Sequence, residues 1–297
     1  MTIREYVVPP TTDVIFVADL FSEDYVGGAE LTTDAIISHA PAGCRIFKMH
    51  STSLTPEIVA KNRKKHWVLC NWSGAPREGL AALVTENCAY TCVEYDYKYC
   101  IYRSSHLHGM SGTECDCHTK ANFAVAFYQR AKSLFFMSEG QRDEYYRLFP
   151  IMKRWAHIWV LSSVWKDEDI LTLRSLAETP KVDKWAVLAG GSWIKNMQAT
   201  EQYCKSKNID YDLVGGLAYQ DFLKELSRYK GLVFHPAGFD TCPRLVVEAK
   251  LMGLELDLND NVQHKNESWF LNASMAGTVK YLMDGKQRFW GRIKLAS

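Results

Sequence analysis

The feature that most constrains this chain is a recurring unit, a short apolar run followed by a turn and an amphipathic helical pattern. Asp13–Leu20 (DVIFVADL) reads as a buried parallel strand, and Gly27-Gly28-Ala29-Glu30 opens a helix through Ile37. Cys44–Met49 is a second strand, followed by a helix over Thr55–Lys65 entered by Thr-Pro. His66–Asn71 and Ala89–Glu94 read as strands on either side of a short helix, Gly79–Glu86. Ala131–Met137 is a further strand, before a helix over Glu139–Leu148 that Pro150 stops. Strands alternating with helices predict a mostly parallel sheet covered on both faces.

The pattern restarts after a polar join, Ser163–Lys184, that contains Pro180. Strands are predicted over Trp185–Ala189, Tyr211–Val214, Gly231–His235 and Leu254–Leu258. Helices are predicted over Ile194–Lys207, Ala218–Arg228 and Pro243–Met252, and from Trp269 to the end. The fold class is therefore α/β with two Rossmann-like halves, and ligands belong beyond the carboxyl ends of the strands. Tyr95–Lys120 breaks the rhythm. It is rich in Tyr, His, Cys and Gly and has no period, and a loop of that length inside a compact domain is usually functional.

Composition narrows the function classes. A hydrophobic share of 47% and a charged share of 23% suit a soluble globular protein. The net charge of +1 gives no overall basic field for nucleic acid, although local patches remain open. No apolar run approaches the roughly 20 residues that cross a bilayer, and the start, MTIREYVVPP, lacks a signal-peptide pattern. Membrane insertion is not expected. The nine cysteines are read as reduced thiols in a cytosol rather than as a disulfide framework.

The strongest chemical signal is the stretch from Val233 to Gly253, a strand, a glycine-containing loop and a helix starting near Pro243. A helix start offers backbone N–H groups and partial positive charge to a phosphate. Asp240 precedes that helix and Glu248 lies within it. The loop carboxylate can accept from sugar hydroxyls while the helix carboxylate holds a ribose. The same pattern also describes an N-capped amphipathic helix, with Asp240 or Thr241 as cap and Glu248 solvated.

This loop and helix resemble the Glu-x7-Glu element of family-4 retaining glycosyltransferases, E-G-F-G-x-P-x-x-E-A-x-x-x-G. The chain keeps Glu248, Ala249 and Gly253 but has Asp240 at the first acid, and Thr241-Cys242-Pro243 replaces Gly-Phe-Gly. Further landmarks follow in the family's order. Ala189-Gly190-Gly191-Ser192-Trp193-Ile194-Lys195-Asn196 stands where members carry Arg then Lys against the donor diphosphate; Lys195 matches the lysine and Gly191-Ser192 replaces the arginine, with Arg244 a candidate second cation. Gly27-Gly28 matches the glycine-rich loop beside the donor phosphate. Asp96, in Glu94-Tyr95-Asp96-Tyr97, falls where members carry an acceptor-side His or Asp, and a solvated loop carboxylate is the rival reading.

The resemblance implies a GT-B architecture, two Rossmann-like domains facing each other across a cleft. It implies an acceptor domain over residues 1–165, a nucleotide-sugar domain over 166–270, and a final helix over 271–297 that packs back on the first. Asp96 and Asp240 become the catalytic candidates. Gly27, Gly28, Ser192, Lys195, Thr241, Cys242, Pro243, Arg244, Leu245 and Glu248 become the donor-binding candidates. The implied donor is a UDP- or GDP-sugar, with no catalytic metal and with same-face attack in which the leaving phosphate helps to remove the acceptor proton.

The compact length and the run Asp240–Glu248 with Glu255–Phe270 resemble bacteriophage glycosyltransferases. Some of these modify hydroxymethylated pyrimidines in DNA, and others act on polysaccharide or lipid acceptors. The basic clusters Lys61–Lys65, Lys153-Arg154 and Lys286–Lys294, with nearby Trp67, Trp72, Trp155, Phe289 and Trp290, favour modified DNA as partner. The expected location is cytoplasmic, the host cytoplasm for a phage protein. An inactive sugar-nucleotide-binding module is the rival class. Finally, Cys100…His106-x-His108…Cys115-Asp-Cys117-His118 is dense enough in thiols and imidazoles to hold a structural zinc, with Cys100, Cys115, Cys117 and His118 as candidate ligands.

Overall fold

The computed structural model describes residues 6–191 and 193–293, apart from the Trp193 side chain. The chain divides into two compact units, Met1–Val164 with Asp284–Ser297, and Trp165–Met283.

The first unit is built on six parallel strands: β1 Val14–Ala18, β2 Ile46–His50, β3 His66–Asn71, β4 Ala89–Glu94, β5 Ser133–Phe136 and β6 Ile158–Val160. They lie in the order β2-β1-β3-β4-β5-β6. β1 and β3 are buried on both faces, which is why they read as unbroken apolar runs rather than alternations. The helix Gly285–Trp290 closes one face. Phe289 meets Phe16 and Phe135 at ring separations of 6.4 and 5.2 Å, and the Trp290 indole N–H donates to the Ile36 carbonyl at 2.9 Å.

The second unit holds four parallel strands: β7 Val182–Leu188, β8 Tyr211–Val214, β9 Tyr229–Phe234 and β10 Glu255–Leu258, in the order β10-β9-β7-β8. Leu232, Phe234, Val246, Val247, Trp269 and Leu282 form its core. Gly231 lies against Trp185, where an added Cβ would sit 2.5 Å from the indole ring. In each sheet the chain leaves the first strand to one side and returns to pair on the other. The order therefore reverses between β1 and β3 and between β7 and β9, and in open α/β sheets the ligand crevice belongs at the carboxyl ends of such pairs.

Several elements differ from expectation. β6 was absent from the sequence reading, because three half-buried edge residues carry no period. The polar join holds a helix, Asp167–Ser175, whose first turn carries Asp167, Glu168 and Asp169 against the helix dipole. The irregular Tyr95–Lys120 stretch contains the short helix Ser105–Met110 and a 3₁₀ turn, Cys117–Lys120. The single closing helix is three, Ser268–Leu271, Met275–Met283 and Gly285–Trp290. Trp269 stacks on Tyr281 at 4.6 Å, and the Thr278 hydroxyl donates to the Trp269 carbonyl at 2.9 Å, so residues 271–283 stay with the second unit. Among the described residues, no helix is long and apolar enough to cross a membrane.

Candidate functional site

In the second unit, the loops after β7 and β9 meet at the carboxyl edge of the sheet. The Ala237 N–H donates to the Ile194 carbonyl at 2.8 Å, and Asn196, in the left-handed region at φ 54°, ends the first loop. Lys195 Nζ reaches Asp240 Oδ2 at 2.6 Å. The Asp240 backbone is fixed independently: its N–H donates to the Asn261 carbonyl at 2.8 Å, and its carbonyl accepts from the Gln263 N–H at 3.1 Å. Two residues predicted from distant motifs thus form one ion pair, with the lysine side chain 30% and the aspartate side chain 13% exposed. Ser192, expected beside them, lies outside the described residues.

The helix Arg244–Leu251 starts beside this pair. Its N-cap position is Pro243, which has no side-chain acceptor, so neither Asp240 nor Thr241 takes the cap position of the rival reading. Glu248 is buried rather than solvated. The Tyr219 hydroxyl donates to its Oε1 at 2.5 Å, and Arg244 Nε lies 3.4 Å from the same oxygen. Burial pushes the Glu248 carboxyl above its usual range, against the pull of Arg244 and Tyr219. Arg244, expected as a second cation for the diphosphate, is itself buried, its guanidinium 4.2 Å from the centre of the Trp165 ring. Thr241, Cys242 and Pro243 are buried and Leu245 is half-buried.

Tyr219 was not among the sequence candidates. Neither was a polar group at the ends of β9 and β10, where His235 Nε2 lies 2.9 Å from Asp257 Oδ1 and the Tyr203 hydroxyl donates to Asp257 Oδ2 at 3.0 Å. The position of His235 directly after a buried strand was the available signal.

At the carboxyl edge of the first sheet, Asp19 gathers the loops after β1, β2 and β3. It accepts from the Ser51 hydroxyl and from the N–H groups of Ser73 and Gly74 at 3.0 and 2.9 Å. Gly27 stands at the N-cap of the helix Gly28–Ser38, and a Cβ there would fall 2.4 Å from Glu30 Oε2. Burial raises the Glu30 carboxyl.

Asp96 sits in a cluster of charge. Lys98 Nζ lies 3.2 Å from Asp96 and 3.5 Å from the fully buried Glu94, and Arg103 binds Asp96 through both Nε and a terminal nitrogen. Burial alone would raise the Asp96 carboxyl, but the Lys98 and Arg103 cations outweigh it and hold it below its usual range. Burial keeps Glu94 above its own. Asp96 is therefore an anchored carboxylate, not the solvated one of the rival reading. Beside it opens a pocket of about 380 Å³ whose lining includes Trp72, Arg77, Lys98, Arg103, Lys120 and Phe123.

Two of the three expected basic clusters lie elsewhere, and the third, Lys286–Lys294, ends outside the described residues. Lys61–Lys65 precedes β3 and Lys153-Arg154 precedes β6, so both stand at the amino edge, away from the crevice. Lys65 is committed to structure, donating to the carbonyls of Pro10 and Thr12 at 2.9 and 2.7 Å.

Of the expected metal ligands, Cys100, Cys115 and Cys117 come together, and His118 does not join them. His108 takes that place from the helix Ser105–Met110; the four ligand atoms all lie within 4.8 Å of one another. The residue following Cys117 is carried off by the 3₁₀ turn, whereas His108, eight positions after Cys100, is folded back by the Ser104-capped helix.

No protein-family model matches the chain, and no curated protein matches it. Solved structures do. HepE from Anabaena in complex with UDP aligns over 94% of this chain and 96% of that one, at 14% identity and a TM-score of 0.54. The same protein in complex with UDP and glucose aligns over 93% and 95%, at 13% identity and a TM-score of 0.52. An alpha-glucosyltransferase in complex with UDP and a DNA containing an HMU base aligns at 9% identity over 94% and 93%; its TM-score of 0.45 is too low to bear on fold or acceptor. With two parallel Rossmann-like units and a likeness to HepE along nearly its whole length, the chain has the GT-B fold.

Proposed function

We propose that this chain is a glycosyltransferase that moves a sugar from a UDP-sugar to an acceptor hydroxyl with retention at the anomeric carbon. The observation that carries this reading is the ion pair of Lys195 and Asp240 beside the start of the helix Arg244–Leu251. It stands at the β7–β9 reversal of a chain that shares its fold with HepE, a protein solved with UDP and with UDP-glucose. Lys195 and the helix start hold the diphosphate, Asp240 holds sugar hydroxyls, and Glu248 offers Oε2 to the ribose, Oε1 being taken by Tyr219.

In the reaction the bond between the anomeric carbon and the phosphate oxygen breaks as the acceptor oxygen attacks the same face. The acceptor proton passes to the departing phosphate oxygen, giving UDP and a glycoside. Lys195 and the helix dipole stabilise charge that grows on the diphosphate, the electrostatic contribution that matters most in such a step.

For the acceptor we propose a 5-hydroxymethylpyrimidine, such as 5-hydroxymethylcytosine, in DNA. Support comes from the pocket beside Asp96, which Arg77 and the exposed Lys120, paired with Asp116, line together with the Asp96-bound Lys98 and Arg103, with Phe123 among its aromatic lining. Asp96, fixed by two cations, orients the hydroxyl rather than acting as a strong base. The test is a mass-spectrometric screen of UDP-sugars against hydroxymethylcytosine DNA, unmodified DNA and neutral glycans. Addition of one sugar to hydroxymethylated DNA alone is expected. Product on a glycan alone replaces the acceptor. UDP binding with no donor consumed on any acceptor identifies a sugar-nucleotide-binding module instead.

A further inference from the structure

We propose that Cys100, His108, Cys115 and Cys117 bind one structural zinc ion. Cys100 Sγ stands 3.7 Å from Cys115 Sγ, and His108 Nδ1 stands 3.6 Å from Cys100 Sγ and 3.3 Å from Cys117 Sγ. Zinc held tetrahedrally, at about 2.3 Å to sulfur and about 2.0–2.1 Å to nitrogen, spaces two sulfurs by about 3.8 Å and sulfur from nitrogen by about 3.6 Å. These three edges are close to those of such a tetrahedron, and all four ligand atoms lie within 4.8 Å of one another. The sulfur separation is far too long for a disulfide, in which the atoms are bonded at about 2.05 Å. Three thiolates and one imidazole select zinc over the hard cations, and four protein ligands leave no position for a substrate, so the ion is structural. Binding releases the three thiol protons to solvent.

The surroundings explain why the segment uses a metal. Cys100, His108 and Cys117 are buried, yet Ile101 and Met110 between them are exposed, so the loop has little apolar core of its own. The Tyr102 ring packs edge-on to the His108 imidazole at 5.1 Å. The same segment supports the charged pocket. The Arg103 N–H donates to the Cys100 carbonyl at 2.8 Å, and the Arg103 guanidinium holds Asp96. One ligand of the ion is thus joined through Arg103 to Asp96, and the zinc fixes the position of both.

Elemental analysis of the purified full chain, grown with zinc and kept reduced, is expected to find one zinc per chain. His108→Ala and Cys117→Ser, each leaving only three of the four protein ligands of a structural site, should lose most of it, while His118→Ala and His106→Ala keep it. To separate metal loss from misfolding, zinc-depleted wild-type protein is titrated with Co²⁺. Visible bands of a tetrahedral thiolate-bound cobalt ion are expected, and chelation should speed proteolytic cutting within residues 101–116. Wild-type protein with no zinc and no cobalt bands overturns the proposal. Loss of zinc in His118→Ala with retention in His108→Ala overturns the ligand set.

Discussion

The donor site can be tested by separating the two members of its ion pair. Lys195→Ala removes the ammonium that the proposal places on the diphosphate. A charge-assisted contact of this kind is worth about 1.5–3 kcal/mol, so UDP affinity should fall roughly tenfold to over a hundredfold. Asp240→Asn should behave differently. In the free protein Asp240 holds the same ammonium at 2.6 Å, and the pair is partly exposed. Such pairs are worth about 0.2–1 kcal/mol, so freeing Lys195 should leave UDP affinity unchanged or raise it by at most roughly fivefold. Asparagine leaves the backbone bonds of Asp240 to Asn261 and Gln263 in place, so the loop should hold. Turnover should nevertheless drop, because the sugar loses a carboxylate acceptor. In the double variant any gain in UDP affinity should vanish. Isothermal titration calorimetry with UDP, alongside donor-consumption rates, reads all of this. Wild-type UDP affinity in Lys195→Ala, or an equal loss in Asp240→Asn, would refute the reasoning.

Three other outcomes follow from the same geometry. Glu248→Gln keeps the volume and the Tyr219 bond but not the charge, and calorimetry should show UDP binding weakened by about tenfold or more while its circular dichroism stays that of the wild type. In DNA-binding titrations, Arg77→Ala with Lys120→Ala should flatten the salt dependence by about 1.4–1.8 in logarithmic slope, whereas neutralising Lys61, Arg63 and Lys64 at the amino edge should not. Burial lowers His264 to about 3 and His66 to about 4, so the unfolded chain, with histidines near about 6.5, takes protons first; stability is full above that pH and falls as pH drops towards the folded values. His264, packed against Trp269 and Phe270, should accept phenylalanine, and His264→Phe should make the acid denaturation curve shallower by up to about 1.4 kcal/mol per pH unit between those limits.

The parts of the fold that were legible in the sequence are those buried on both faces. His66–Asn71 and Ala89–Glu94 read at their observed bounds, as does one exception, the half-buried edge strand Tyr211–Val214, and the β/α alternation carried the two-unit organisation. What escaped had a weak or mixed pattern: the three-residue edge strand β6, the acidic helix in the polar join, and the turns that break the closing helix. Site residues followed the same division. Position after a buried strand put Lys195 and Asp240 at one sheet edge, but periodicity carries no information on their direct pairing across 45 positions. Nor could it tell that Arg244 packs inward on Trp165, that Tyr219 reaches Glu248, or that His108 rather than His118 closes the thiol cluster. Each of those depends on side-chain direction set by tertiary packing. The basic run at Lys61–Lys65 misled for a topological reason, since charge density says nothing about which end of a parallel sheet it decorates.

The most direct test of the central claim is to follow UDP-glucose by nuclear magnetic resonance in the presence of hydroxymethylcytosine DNA, with wild-type protein and Glu248→Gln in parallel. The proposal predicts that wild-type protein converts the donor to UDP and to a glycoside of unchanged anomeric configuration, and that Glu248→Gln slows this by about tenfold or more. A glycoside of inverted configuration, or equal rates for the two proteins, would contradict it.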